Sequence, residues 1–137
     1  MQVVGYLATV LTGQDWEAIA RERILNPCEM LDTDYQAFSP NPAVAGGIRT
    51  TLNDYMKLLK MLMSGGVYDG KRILSSESVD LIFSNQTPGF PVFKSPWPSD
   101  SPFYPYDPGD LPYGIGTWIL AQRPGDGFVE EIASPGA

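Results

Sequence analysis

Apolar residues recur at helical spacing along the first half of the chain. Leu52, Tyr55, Met56, Leu59, Leu62 and Met63 fall at i, i+3, i+4, i+7, i+10 and i+11, which predicts an amphipathic helix with that face buried. Thr51 stands at its N-cap with an acid, Asp54, at N3, and Gly65-Gly66 closes it. Val3, Val4, Leu7, Val10 and Leu11 share one face of an earlier helix over residues 1–11, stopped by Gly13. Asp15 then occupies the N-cap position of a short helix carrying Trp16, Ile19, Ala20 and Ile24. Asn26-Pro27 ends it, because the residue before a proline is pushed out of the helical region. Ser75 caps a fourth helix that reaches about Phe83.

Elsewhere the period changes or is lost. Residues 31–47 hold Pro40, Pro42 and Gly46-Gly47 with no sustained pattern and read as irregular. Asp69-Gly70, inside 67–74, marks the turn of a small hairpin. From 84 to 112, eight of the thirteen prolines interleave with Phe90, Phe93, Trp97, Phe103, Tyr104 and Tyr106, which excludes both a helix and a central strand there. Residues 113–121 and 128–133 read as two strands joined by Pro124-Gly125-Asp126-Gly127. The expected class is α+β: a helical part over 1–83, a proline- and aromatic-rich loop over 84–112, and strands over 113–137.

Composition narrows the chemistry. Nine basic against sixteen acidic residues give a net charge of −7, with Lys and Arg scattered, so nucleic acid is not the expected partner. No apolar run approaches the roughly 20 residues of a bilayer span, so no membrane-spanning segment is expected. The amino end has no basic region of the kind that opens a signal peptide. One cysteine, Cys28, permits no internal disulfide and no Cys-rich zinc site, and it reads as a small core residue. The chain contains no histidine, so no Ser-His-Asp triad, Cys-His pair or His-ligated metal can be assembled from it.

Several stretches together resemble the serine β-lactamase and penicillin-binding-protein-like hydrolases, including class C β-lactamases and related esterases. Gly5-Tyr6-Leu7-Ala8-Thr9-Val10-Leu11-Thr12-Gly13-Gln14-Asp15-Trp16 is similar to the helix and "TGxxW" turn that follow the family's second motif. Ile24-Leu25-Asn26-Pro27-Cys28-Glu29-Met30 resembles its "I-x-x-P-L-G-M" segment, with Cys28-Glu29 in place of Leu-Gly. Ala45 through Leu62 resembles "GG-x-x-S/T-T-x-x-D" and its helix, and Gly65 through Ser75 resembles "GG-x-x-x-G-x-R-x-L-S". Tyr113-Gly114-Ile115-Gly116 resembles a late "YG-x-G" strand.

The resemblance implies a serine nucleophile with a lysine one helical turn away, acting through an acyl-serine on ester, amide or β-lactam carbonyls. It implies no metal and no organic cofactor. No lysine here has a serine three positions before it, and no Tyr-x-Asn is present. The chain is therefore expected to be an internal fragment, inactive by itself, whose partners are the missing flanking parts of its own parent chain and a small-molecule carbonyl substrate.

The family's third motif would fall at Ser134-Pro135-Gly136. Ser134 then replaces the usual Lys or His, Gly136 matches, and the backbone N–H of Ala137 would contribute to the oxyanion hole. Gly46 stands where class C enzymes place an aromatic beside the pocket, within a pocket-facing loop over 41–47. Both departures favour an esterase-like or uncharacterised hydrolase over a true β-lactamase. Members of the family are often periplasmic or secreted.

Other constellations carry less. Asp32-Thr33-Asp34 reads as a solvated loop, with no further ligands for a metal. Glu130-Glu131 cannot flank one glycosidic bond, because strand neighbours point to opposite faces. Ser39-Pro40-Asn41 reads as a turn, and 84–112 as a packed or substrate-shaping loop in which Trp97 and Tyr104 stand out. Two other readings remain: a non-catalytic binding protein of the same fold, and an unrelated α+β interaction module.

Overall fold

A computed structural model describes residues 1–35, 40, 42–90, 112–122 and 129–133. The chain divides into two compact units, Met1–Ser76 and Glu77–Ala137.

The first unit begins with α1 (Gln2–Thr12), which ends as predicted at Gly13. That glycine is left-handed at φ 69° and donates its N–H to Thr9 O. Helix α2 (Trp16–Ala20) starts after Asp15, whose side chain makes no capping bond. It runs into a π-helical turn, Arg21–Leu25, closed by Asn26 N–H to Arg21 O at 2.9 Å. The single regular helix expected to reach Ile24 is thus a five-residue α segment and a wider turn.

Residues 31–47, expected to be irregular, hold one strand of a short antiparallel ladder whose other strand follows directly after them. Strand β1 (Asp34–Tyr35) pairs with β2 (Ile48–Arg49), reinforced by an Arg49–Asp34 ion pair at 2.8 Å. Two-residue strands carry too little pattern to be read locally, and the partners lie fourteen or so positions apart.

Helix α3 (Leu52–Met63) follows, with Thr51 Oγ1 accepting from Asp54 N–H as its cap. Its covered face overlaps the predicted one at Leu59 and Leu62 but is rotated from it. Met61 is fully buried and Leu58 and Leu62 pack partly, whereas Leu52 is 79% exposed and Met63 86%, with Tyr55 and Met56 also outward. The core formed by Met61 with Leu25, Cys28 and Met30 turns the helix by the neighbours it meets, and the wider apolar arc leaves its other edge uncovered. A tight hairpin closes the unit: β3 (Val67–Tyr68) pairs with β4 (Lys71–Arg72) across Asp69 and Gly70, at φ 46° and 73°. Gly66 is required there, since a Cβ would sit 2.2 Å from Leu74 O.

In the second unit, α4 (Ser76–Phe83) matches the predicted fourth helix. The strand expected from Tyr113 begins only at Trp118. Residues 113–117 instead form a turn, with Gly114 N–H donating to Thr117 O at 2.8 Å and Gly116 left-handed at φ 77°. That turn serves the end of α4: Ile82 O accepts from Ile115 N–H at 2.9 Å and from the Thr117 hydroxyl at 3.2 Å. Gly114 must lack a side chain, because its Cβ would stand 2.2 Å from Ile82 O. Strands β5 (Trp118–Gln122) and β6 (Val129–Ala133) pair antiparallel with register shifts at Ala121. The turn assigned to 124–127 lies outside the described residues, as do Trp97, Tyr104 and the rest of 91–111. Among the described residues no helix is long and apolar enough to cross a membrane.

Candidate functional site

The expected pocket residues divide by where they fall. Ser134, Gly136 and Ala137 lie outside the described residues, as does Asn41. Gly46 lies in an exposed turn over 44–46, before β2. Its backbone is not left-handed, and a Cβ built there meets nothing within 4 Å, so the position opens onto free space. Gly47 differs: its Cβ would meet Ala43 O at 2.6 Å, because the turn folds back on that carbonyl.

The loop bearing Gly46 is fastened to the start of α1. Gln2 Nε2 donates to Pro42 O at 2.7 Å, and Gln2 Oε1 accepts from Val44 N–H at 3.0 Å. One turn along the helix, Gly5 is buried with Val44 against it, so close that a Cβ would lie 2.4 Å from Val44 Cγ2. Trp16 N–H reaches Pro40 O at 3.1 Å, and its ring meets Tyr35 edge-on at 5.9 Å. The sequence marked Gly5, Trp16 and Gly46 separately; the structure brings all of them to one loop. Gln2 escaped sequence reasoning, since its partners are 40 and 42 positions away. A single polar side chain beside Val3-Val4 was the only available sign.

A second polar cluster lies at the start of α3. The Asp54 carboxylate, 1% exposed, accepts from Asp32 N–H at 2.8 Å, the Thr33 hydroxyl at 2.9 Å and Lys57 Nζ at 2.9 Å. Thr33 also shares a hydrogen bond with Thr50. Desolvation pushes the Asp54 carboxyl up, but the hydrogen bonds from Lys57, Thr33 and Asp32 together outweigh it and hold it below its usual range. Lys57 is raised chiefly by its bond to Asp54. A proton acceptor in acyl transfer needs a lysine pulled down towards neutrality, which is the opposite shift. The cluster is a structural tie between residues 32–33 and α3. Of the Asp32-Thr33-Asp34 run, Asp32 enters through its backbone N–H and Thr33 through its hydroxyl, while Asp34 accepts from Arg49. Among the described residues no group of three His, Cys, Asp or Glu side chains is placed to hold a metal ion.

A cleft of about 510 Å3 is lined by Glu29, Lys60, Ser64, Val67, Tyr68 and Asp69. It contains none of the expected pocket residues. Lys60 and Ser64 share its wall in the order opposite to the family's nucleophile motif, and no hydrogen bond joins their side chains among the described residues.

These elements define an α+β chain of β-lactamase-like fold. The crystal structure of a "putative beta-lactamase" from Bacteroides dorei DSM 17855 is similar to it, with a TM-score of 0.73 and 29% identity over 99% of this chain. The chain spans 41% of the length of that protein. No protein-family model matches the chain, and no curated protein matches it.

Proposed function

We propose that this chain is an internal part of a serine hydrolase that acylates and deacylates a serine on an ester, amide or β-lactam carbonyl. The observation that carries the proposal is the likeness along 99% of this chain to a protein more than twice as long. The exposed stripe on α1 supports the partial-domain reading of 1–137. Val3, Val4, Leu7, Val10 and Leu11 all face outward, Val3 at 80%. Fully burying such a side chain is worth about 1.5–3 kcal/mol, and these five are half to four-fifths exposed, so covering them would contribute on the order of several kcal/mol against a domain's net stability of roughly 5–15 kcal/mol. A helix of this kind is built to be covered.

In this reading the Ser-x-x-Lys and Tyr-x-Asn motifs belong to sequence outside these 137 residues. The chain supplies scaffold, the loop with Gly46 at the pocket edge, and the terminal residues Ser134, Gly136 and Ala137, with the Ala137 N–H as an oxyanion-hole donor. Ser134 in place of a cation removes the charge that would attract a substrate carboxylate, and the missing side chain at Gly46 widens the entrance. Both favour neutral esters. The chemistry requires no metal or organic cofactor.

The test is to express the 137 residues alone and together with their adjoining coding sequence. p-Nitrophenyl acetate should be hydrolysed only by the longer protein, and serine-to-alanine replacement in its Ser-x-x-Lys motif should abolish turnover. Hydrolysis by the 137 residues alone would refute the assignment of the nucleophile. Adjoining sequence without Ser-x-x-Lys would favour the second reading, a non-catalytic binding protein of this fold, since Ser134 already departs from the family's usual cation.

A further inference from the structure

We infer that Gln2 is the positioning residue of the 42–47 loop, fixing where position 46 stands at the pocket entrance and thereby which acyl groups are admitted; the second half of this rests on the hydrolase reading above. The side-chain amide uses both its ends on one short segment, donating to Pro42 O at 2.7 Å and accepting from Val44 N–H at 3.0 Å. Only Asn and Gln offer a donor and an acceptor in that arrangement, and the shorter Asn would not span the same gap. Gly5, one turn on, is where Val44 seats: a Cβ there would lie 2.4 Å from Val44 Cγ2, so the same segment is also held by close packing on the helix. From Val44 the turn is short: Gly46 N–H and Gly47 N–H both return to Ala43 O. A shift at residues 42–44 therefore carries Gly46 with it.

Two measurements test this. In the 137-residue chain, hydrogen exchange followed by NMR should show the Val44 amide exchanging about tenfold faster in Gln2→Leu than in wild type. Gln2→Glu, which keeps the acceptor for Val44 N–H but sets a carboxylate oxygen against Pro42 O, should fall between the two. The Cys28 amide, bonded to Ile24 O in the core, should be unchanged in both and so exclude general unfolding. Val44 exchanging at the wild-type rate in Gln2→Leu overturns the fastening. In the longer protein, Gln2→Leu should alter the kcat/KM ratio of p-nitrophenyl octanoate to acetate by about fivefold, through KM, with kcat on acetate little changed. A ratio equal to wild type overturns the selectivity role, because simple loss of folded protein lowers both substrates alike. If wild type hydrolyses neither ester, the hydrolase reading and the selectivity role fail together, while Val44 exchange still decides the fastening.

Discussion

Helices α1 and α3 both carry apolar stripes, yet the fold treats them differently. Helix α3 is held by Met61 in the core on one side and by the Asp54 cluster at its start. Helix α1 meets the chain through small or polar positions, Gln2 and Gly5, and turns Val3, Val4, Leu7, Val10 and Leu11 outward. Period alone establishes that a stripe exists. Which part of it is covered depends on what else is present: α3 buries Met61 and leaves its outer edge bare, whereas α1 buries only Gly5.

Four changes would break or sharpen that contrast. Asp54→Ala should be the most damaging, because it leaves Thr33, Asp32 N–H and Lys57 without their shared acceptor; chemical denaturation should show a larger loss than any variant below. The same carboxylate sets a pH dependence. Its folded pKa is depressed, so its contribution is complete above the ordinary value of 3.8 and is lost as pH falls through the folded value. Melting curves of wild type should therefore drop below that pH, and those of Asp54→Asn should be flatter. A profile equally steep in both would remove Asp54 as the cause.

Gly66→Ala should cost about 3 kcal/mol, combining a left-handed backbone with collision against Leu74 O. Glu29→Gly is its converse. Glu29 sits at φ 57° where the resembling families carry glycine, so the replacement should stabilise by about 1 kcal/mol in urea titration. Smallest should be Leu7→Ser, within about 0.5 kcal/mol in this chain, because the side chain is already half exposed. In the longer protein the same substitution should cost about 2 kcal/mol or more if, as proposed, the stripe is covered there. Equal effects in the two proteins would mean that α1 is never covered.

What was legible in the sequence was local. Gly13 as a stop, Thr51 as a cap, Asp69-Gly70 as a hairpin turn and the α+β order all follow from neighbours within four or five positions. The contacts that give those elements a relative placement were not. Asp54 has the spacing of an acid at N3, yet its carboxylate reaches 21 and 22 positions back to Thr33 and Asp32 instead of closing on its own helix start. The β1–β2 ladder and the grip of Gln2 are of the same kind. Of the proposed site, Gly46 could be marked by resemblance, but its anchoring could not, because a side-chain amide carries no periodic signature.

Cys28 gives this fold an unplanned sentinel. It is the sole thiol of the chain, wholly enclosed beside Met30 and Met61, and burial pushes its pKa up, so it is both shielded and poorly nucleophilic while the interior is shut. An alkylating reagent will therefore mark only those molecules that have momentarily opened, and its uptake over time becomes a clock for breathing of the first unit.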